Sequence, residues 1–293
     1  MFSRVLLVST FALFSAPALA APLDVVASFS ILGDMVARVG GERVALTTLV
    51  GPEADSHVYS PTPADAASVG KAQVFFVSGL GFEGWMDRLV EATGYKGELV
   101  VASEGVSARS MEEDGETITD PHAWQSLSNG LIYVANIAKG LCAADAEGCA
   151  VYEANAKAYS AEISALDAEV KAAIATVPEA KRKVVTTHDA FGYFGAAYGV
   201  RFKAPEGIST ESEASASDVA KLIEQIRSED VSALFIENMS DGRLVEQIGR
   251  ETGVKLGGTL YADALSPADG EAATYLDMFR HNVALLVPAM KGE

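Results

Sequence analysis

The longest helical pattern in the chain runs from Val151 to Val177. Large apolar residues recur there in steps of mostly three, four or seven, and alanines fill many positions between them. This period is typical of one buried stripe on a continuous helix, and alanine has the highest helix propensity. At 1.5 Å per residue, such a helix would be about 40 Å long. The apolar positions are Tyr152, Tyr159, Ile163, Leu166, Val170, Ile174 and Val177.

The segments on either side of this helix alternate short apolar runs with helical patterns. Runs typical of buried strands fall at 23–27, 44–50, 74–77 and 99–102, and again at 183–187, 233–236 and 254–256. This alternation predicts parallel sheets covered by helices on both faces. We therefore predict an α/β fold of two lobes, each a mostly parallel sheet flanked by helices, joined by one long rigid helix. The predicted boundaries are 21–149 for the N-terminal lobe, 150–178 for the linking helix and 179–293 for the C-terminal lobe.

Residues 1–20 have the features of a secretory signal peptide. Arg4 supplies a positive charge, Val5 to Phe14 form an apolar run, and Ala18-Leu19-Ala20 forms a small-residue cleavage site. The apolar run is too short to span a bilayer. The predicted mature protein is therefore exported to the periplasm. No cysteine follows the cleavage site to carry a lipid, which favours a free protein over an anchored one.

The acidic composition limits the classes of partner. Forty acidic residues face 22 basic ones, which gives a formal net charge of −18. A chain of this charge repels nucleic acid and anionic membranes, and the simplest interpretation of the charge is solubility. The most acidic local stretch, 110–119, carries Glu112, Glu113, Asp114 and Glu116 and is interpreted as a solvated loop.

Two cysteines, Cys142 and Cys149, lie just before the long helix. In an oxidising compartment they are expected to form a disulfide that closes a small loop and contributes roughly 2.5 kcal/mol. The alternative, half of a metal site, would need more cysteine ligands than the chain has.

Three of the four histidines lie where a strand or helix meets a loop. They are His57, His122 and His188, whereas His281 lies inside the last helical pattern and is interpreted as structural. Ligand groups collect at the carboxyl ends of strands in open α/β sheets. Imidazole nitrogens are favoured ligands of zinc, and Asp120 could orient His122. No pair has a local ligand spacing, so ordinary loop roles stay open for each histidine, and a turn or capping role stays open for Asp263.

Several sequence blocks carry a resemblance to a known family. They are Gly51-Pro52 with His57 and Pro61-Thr62-Pro63; Gly79-Leu80-Gly81-Phe82-Glu83-Gly84-Trp85; Asp120-Pro121-His122-Ala123-Trp124; Thr187-His188-Asp189-Ala190-Phe191-Gly192-Tyr193-Phe194; and Tyr261-Ala262-Asp263-Ala264-Leu265-Ser266. With these blocks in the family's order, the chain resembles the metal-binding substrate-binding proteins of ABC importers, the zinc and manganese group. The resemblance covers essentially the whole predicted mature chain.

The resemblance implies a metal site built from both lobes. It assigns His57 and His122 from the N-terminal lobe, with His188 and Asp263 from the C-terminal lobe, as the ligands. Manganese-preferring members generally place a carboxylate where this chain has His188. Three nitrogens and one carboxylate favour zinc, so the expected transported ligand is Zn²⁺. Zinc-binding relatives often carry a long histidine-rich loop before the second histidine, whereas 110–119 is short and has no histidine.

The resulting prediction is a periplasmic high-affinity zinc receptor and not an enzyme. Its implied partners are the zinc ion and an inner-membrane ABC permease, with a metallochaperone as a further candidate. A monomer is expected. Gly70-Lys71 lacks the rest of a phosphate-binding loop, and the chain has neither His-Glu-x-x-His nor Gly-x-Ser-x-Gly.

Four alternatives stay open at this point. They are a manganese receptor on the same scaffold, a metal-linked adhesin, a receptor for a siderophore or other organic ligand, and a zinc hydrolase. The hydrolase would use Asp263 or Asp189 as its base and would need an open coordination position.

Overall fold

A computed structural model describes residues 21–113, 116–207, 210 and 214–293. The predicted signal peptide, residues 1–20, lies outside the described residues. Within the described part of the chain, no helix combines the length and apolarity needed to cross a membrane.

The N-terminal lobe contains a four-stranded parallel sheet. Its strands are β1 (Leu23–Phe29), β2 (Val44–Val50), β3 (Val74–Val77) and β4 (Glu98–Val101), in the spatial order β2-β1-β3-β4. Its helices are α1 (Ser30–Gly40), α2 (Pro63–Lys71), α3 (Met86–Thr93) and α4 (Leu127–Ala144). All four residues of β3 are buried, as expected for a central strand covered on both faces.

A two-stranded antiparallel sheet follows β4. It consists of β5 (Arg109–Glu113) and β6 (Glu116–Asp120), and Arg109 pairs with Asp120 in the register. The interpretation of this stretch as a loop was wrong for 110–113 and 116–119, because their backbones pair as antiparallel strands. Asp114 lies outside the described residues.

The long helix α5 (Cys149–Ala175) joins the two lobes. Its buried residues recur at the predicted spacing, and they are Tyr152, Ala156, Tyr159, Ile163, Leu166, Val170 and Ile174. The helix packs against α1 and α4 and against the last helix of the chain, Tyr275–Lys291. At its start, Cys142 and Cys149 form a disulfide between α4 and α5. The helix is thus observed close to its predicted bounds, while the exact domain boundaries stay a prediction.

The C-terminal lobe repeats the topology of the first. Its strands are β7 (Lys183–Val185), β8 (Arg201–Lys203), β9 (Ala233–Glu237) and β10 (Leu256–Leu260), in the order β10-β9-β7-β8 and all parallel. Its helices are α6 (Gly192–Tyr198), α7 (Ala216–Glu229), α8 (Arg243–Thr252) and α9 (Tyr275–Lys291). In both lobes the first strand is central, the second lies on one side, and the third and fourth lie on the other. The predicted fold class of two parallel α/β lobes is confirmed.

Candidate metal centre

The four predicted site residues all follow strands. His57 lies in the loop after β2, His122 two residues after β6, and His188 and Asp263 each three residues after β7 and β10. Three of them, His57, His188 and Asp263, follow strands of the parallel sheets, whose carboxyl ends meet at one edge. His122 follows the antiparallel strand β6. The two lobes bring these edges together, so that side chains far apart in sequence become neighbours.

The structure gathers these four side chains into one cluster. One ligand atom from each of His57, His122, His188 and Asp263 lies within 4.8 Å of the others. Asp263 Oδ2 lies 3.1 Å from His188 Nε2, 3.2 Å from His57 Nε2 and 3.7 Å from His122 Nε2. The Nε2 atoms of His57 and His122 are 3.3 Å apart.

These distances fit a small tetrahedral ion. A zinc ion with bonds of about 2.0–2.1 Å separates neighbouring ligand atoms by about 3.3 Å. The four separations given above, 3.1–3.7 Å, lie close to this value, and the remaining pairs lie within 4.8 Å. The ligand atoms are three imidazole nitrogens and one carboxylate oxygen, a donor set that suits zinc.

The centre is enclosed by both lobes. His122, His188 and Asp263 are 0% exposed, whereas His57 is 8% exposed and forms the outer side of the cluster. Phe82 packs edge-on against His57, with ring centroids 5.0 Å apart, and also contacts His122. Low local polarity of this kind strengthens every interaction between the charged groups inside.

Asp120 holds the ring of His122. Its Oδ1 lies 3.0 Å from His122 Nδ1 and also accepts the backbone N–H of His122 at 3.0 Å. With Nδ1 bonded to a carboxylate, the ring directs Nε2 toward Asp263. The structure therefore places Asp120 where its predicted orienting role requires it.

Glu237 forms a close, fully buried contact with His188, and sequence reasoning missed it. Its Oε2 lies 2.5 Å from His188 Nδ1, and its Oε1 accepts the backbone N–H groups of Thr187 and His188 at 2.9 and 3.0 Å. Glu237 ends β9 and is fully buried. The available signal was an acid directly after the apolar run 233–236, since buried acids are rare without a partner.

The carboxylates change the protonation of the imidazoles. Burial alone would lower the pKa of His122, but the charge of Asp263 and the hydrogen bond to Asp120 raise this pKa to about 9. For His188, burial is likewise outweighed by the charges of Glu237 and Asp263, so its pKa lies well above the usual value. Burial disfavours the ionised form of Asp263, yet the two histidine rings hold its pKa well below the usual range.

The remaining histidine lies outside this cluster. His281 Nε2 lies 2.9 Å from the backbone oxygen of Thr259, and its Nδ1 lies 3.3 Å from Glu271. These contacts agree with the structural role predicted for His281. A second group of possible metal-binding side chains in the described residues comprises Cys142, Cys149 and Glu153. Its two sulfur atoms are bonded to each other, so they offer no thiolate to a metal.

Comparison with known proteins identifies a family for this chain. The family described as "ZnuA: Zinc-uptake complex component A periplasmic" matches residues 25–289. The manganese-binding lipoprotein MntA of Halalkalibacterium halodurans is 34% identical over 269 residues, which cover 92% of this chain and 88% of MntA. MntA of Bacillus subtilis is 32% identical over 275 residues, which cover 92% of this chain and 90% of that protein.

Solved structures share the fold as well. The periplasmic zinc-binding protein TroA of Treponema pallidum superposes with a TM-score of 0.87 at 31% identity, covering 92% of this chain and 99% of TroA. A Mn-bound periplasmic metal-binding protein from Candidatus Liberibacter asiaticus gives a TM-score of 0.82 at 32% identity, covering 91% of this chain and 98% of that chain. The chain therefore belongs to the ZnuA family, the metal-binding substrate-binding receptors of ABC importers, which are not enzymes.

Proposed function

We propose that this receptor binds Zn²⁺ through His57, His122, His188 and Asp263 and delivers it to an ABC permease. The observation that carries the proposal is the donor set. Three imidazole nitrogens and one carboxylate oxygen lie within 4.8 Å of one another. Carboxylate-rich sites suit manganese, and nitrogen-rich sites suit zinc.

Four protein ligands would fill a tetrahedral zinc shell. Catalytic zinc sites keep one position open for water, whereas closed sites have no such position. Carriage of the ion therefore fits the arrangement better than the hydrolase alternative does. Asp189, the other base considered for a hydrolase, lies outside the cluster.

Manganese is the second candidate ion. Two relatives that cover about nine-tenths of this chain are named manganese-binding lipoproteins. The residue that bears on the choice is His188. An imidazole at position 188 makes the set of metal-binding atoms softer than a carboxylate would. Its second nitrogen, Nδ1, contacts Glu237.

Competition between the two ions tests the choice. We expect the wild-type protein, purified without added metal, to contain zinc by elemental analysis and to retain zinc against excess manganese. In the His188→Glu variant, we expect zinc affinity relative to manganese to fall about tenfold or more, because a hard oxygen replaces a nitrogen. His281→Glu is the matched control and should leave the ratio unchanged. A wild-type protein that takes up manganese in preference to zinc would favour the second candidate.

The carboxylate of Glu237 gives a separate prediction. In Glu237→Gln, an amide N–H facing His188 Nδ1 would place the ring proton on Nε2, the atom proposed to bind metal. We expect zinc affinity to fall about 10- to 100-fold, measured by chelator competition. Glu83→Gln is the control, because Glu83 is also buried and also accepts two backbone N–H groups, from Ser78 and Gly79. Equal affinity losses in both variants would contradict the tautomer argument.

The cellular setting follows from the same proposal. Residues 1–20 are proposed to direct export and to be removed, which places the mature receptor in the periplasm. Delivery of the ion by a metallochaperone and a monomeric state are further predictions. Size-exclusion chromatography with light scattering checks the monomer, and mass spectrometry of the secreted protein checks the cleavage.

A further inference from the structure

The segment that carries Asp263 is hydrogen-bonded to the turn that carries His122. Trp124 Nε1 and Gln125 Nε2 both donate to the backbone oxygen of Ala262, at 2.9 and 2.7 Å. Ala262 directly precedes Asp263, and all three partners are fully buried. Both lone pairs of one carbonyl oxygen are therefore used by donors from the opposite lobe.

The donors are rigidly attached to His122. Trp124 and Gln125 belong to a 3₁₀ turn, Ala123–Gln125, that begins directly after His122. The backbone N–H of Gln125 donates to the His122 oxygen at 3.1 Å. The indole of Trp124 packs against both Phe29 and Phe82, with ring centroids 4.9 and 4.5 Å away. A shift of this turn would therefore move the His122 ring as well.

On its other side, the Tyr261 backbone is fixed to α9 of its own lobe, whereas Leu265, two residues after Asp263, bonds to Ser30 and Glu53 of the N-terminal lobe. Asn282 of α9 accepts the backbone N–H of Tyr261 at 2.9 Å and donates to the Tyr261 oxygen at 2.8 Å. If the lobes separate, Tyr261 moves with α9. The bonds at the Ala262 oxygen then break, because they cross from one lobe to the other next to two proposed ligands.

The side-chain amide of Gln125 donates one hydrogen bond among the described residues, to the Ala262 oxygen. Its Nε2 must face the Ala262 oxygen, because a carbonyl oxygen only accepts hydrogen bonds. Its Oε1 is buried and has no hydrogen-bond partner among the described residues. Apolar side chains of similar size would fill the same space, so the hydrogen bond to Ala262 distinguishes glutamine from them.

We propose that Trp124 and Gln125 are positioning residues that hold Asp263 beside His122 and thereby slow metal release. This inference rests on the proposed function, because it takes both Asp263 and His122 to be zinc ligands. The Ala262 oxygen acts as a latch between the lobes, and its two bonds must open before the ligands from the two lobes can part.

Two variants test the latch. Gln125→Met keeps the volume and removes the donor, and Trp124→Phe keeps an aromatic ring and removes the indole N–H. Zinc-loaded protein is mixed with excess chelator, and the release rate is followed by stopped-flow absorbance. We expect release to be about 10-fold faster in each variant, since loss of such supporting contacts acts mainly on dissociation. Trp124→Phe also serves as the test if Gln125→Met does not fold.

A variant at a second contact between the lobes separates positioning of the ligands from general loss of stability. Tyr198→Phe removes a hydroxyl that accepts from the Leu127 N–H and donates to Asp167 Oδ1, joining α6 to α4 and α5. Neither partner is a proposed ligand. We expect its release rate to stay near that of the wild type even where the melting temperature falls. Unchanged release in Gln125→Met and Trp124→Phe, or equal acceleration in Tyr198→Phe, overturns the inference. A wild-type protein that binds no zinc overturns the proposed function itself.

Discussion

The His122→Ala and His188→Ala variants are expected to bind zinc about 100- to 1,000-fold more weakly than the wild-type protein. Four-ligand zinc sites bind with about 10–16 kcal/mol, so each ligand contributes about 2.5–4 kcal/mol, and about 1.4 kcal/mol corresponds to a tenfold change. Competition with a chromophoric zinc chelator measures the loss. The control is His281→Ala, since His281 contacts Thr259 and Glu271 outside the cluster. An affinity equal to the wild type in either variant would remove that histidine from the site.

The two substitutions differ from His57→Ala in their expected cost to stability. His188→Ala leaves Glu237 and Asp263, both fully buried, without the ring that lies between them. Removing one partner of a buried charged pair destabilises proteins by about 3–5 kcal/mol. In His57→Ala, the lost ring is the least buried of the three, at 8% exposure, so we expect a smaller fall in the melting temperature of the metal-free protein. Comparison of the melting curves separates the role of a ligand from its role in folding.

Zinc affinity is expected to rise steeply with pH up to about 9. Only a neutral imidazole binds metal, so protons must leave His122 and His188 when zinc enters. The pKa of His122 is raised to about 9, and that of His188 lies well above its usual value. The affinity should therefore increase up to about 100-fold per pH unit below these values, as release of two protons requires. The sequence alone places this loss of affinity near pH 6.5, the ordinary pKa of histidine being about 6.5. The carboxylates around the site shift this loss of affinity to higher pH.

The metal-free protein should show the opposite trend. A group whose folded pKa is raised stabilises the fold below its unfolded pKa, and this contribution disappears as the pH rises through the folded pKa. For His122 that window runs from about 6.5 to about 9. We expect the metal-free melting temperature to fall across this window and the shift caused by zinc to grow. A zinc-induced shift that stays constant across the whole window would contradict the protonation states inferred for the two histidines.

Periodicity predicted most of the architecture, and its failures have local causes. The stripe on α5 and the central strands β1 and β3 are long or fully apolar, so their patterns are distinct. The strand predicted at 254–256 is observed further along the chain, as β10. Gly257 and Gly258 lie inside β10 and have low strand propensity, so the sequence pattern placed the strand too early. The edge strand β8 has only three residues and was missed.

The candidate site was predictable in part. Each ligand was recognised through a short block of family-like sequence, and none was recognised through spacing. Whether the partner of a proposed ligand could be recognised depended on the distance between the two residues in the sequence. Asp120 was recognised because it lies two residues from His122, whereas Glu237 lies 49 residues from His188 and contacts it only because β7 and β9 are neighbours in the sheet.

The protons on His122 and His188 also bear on how a partner could sense loading. When one dication replaces two imidazolium protons, the total charge of the buried centre stays the same. The long-range electric field around the receptor is then nearly identical with and without cargo. A transporter that prefers the loaded form would have to recognise a difference in the relative placement of the two lobes. A change in the receptor's surface charge should then alter the binding of the loaded and the metal-free form to the transporter equally.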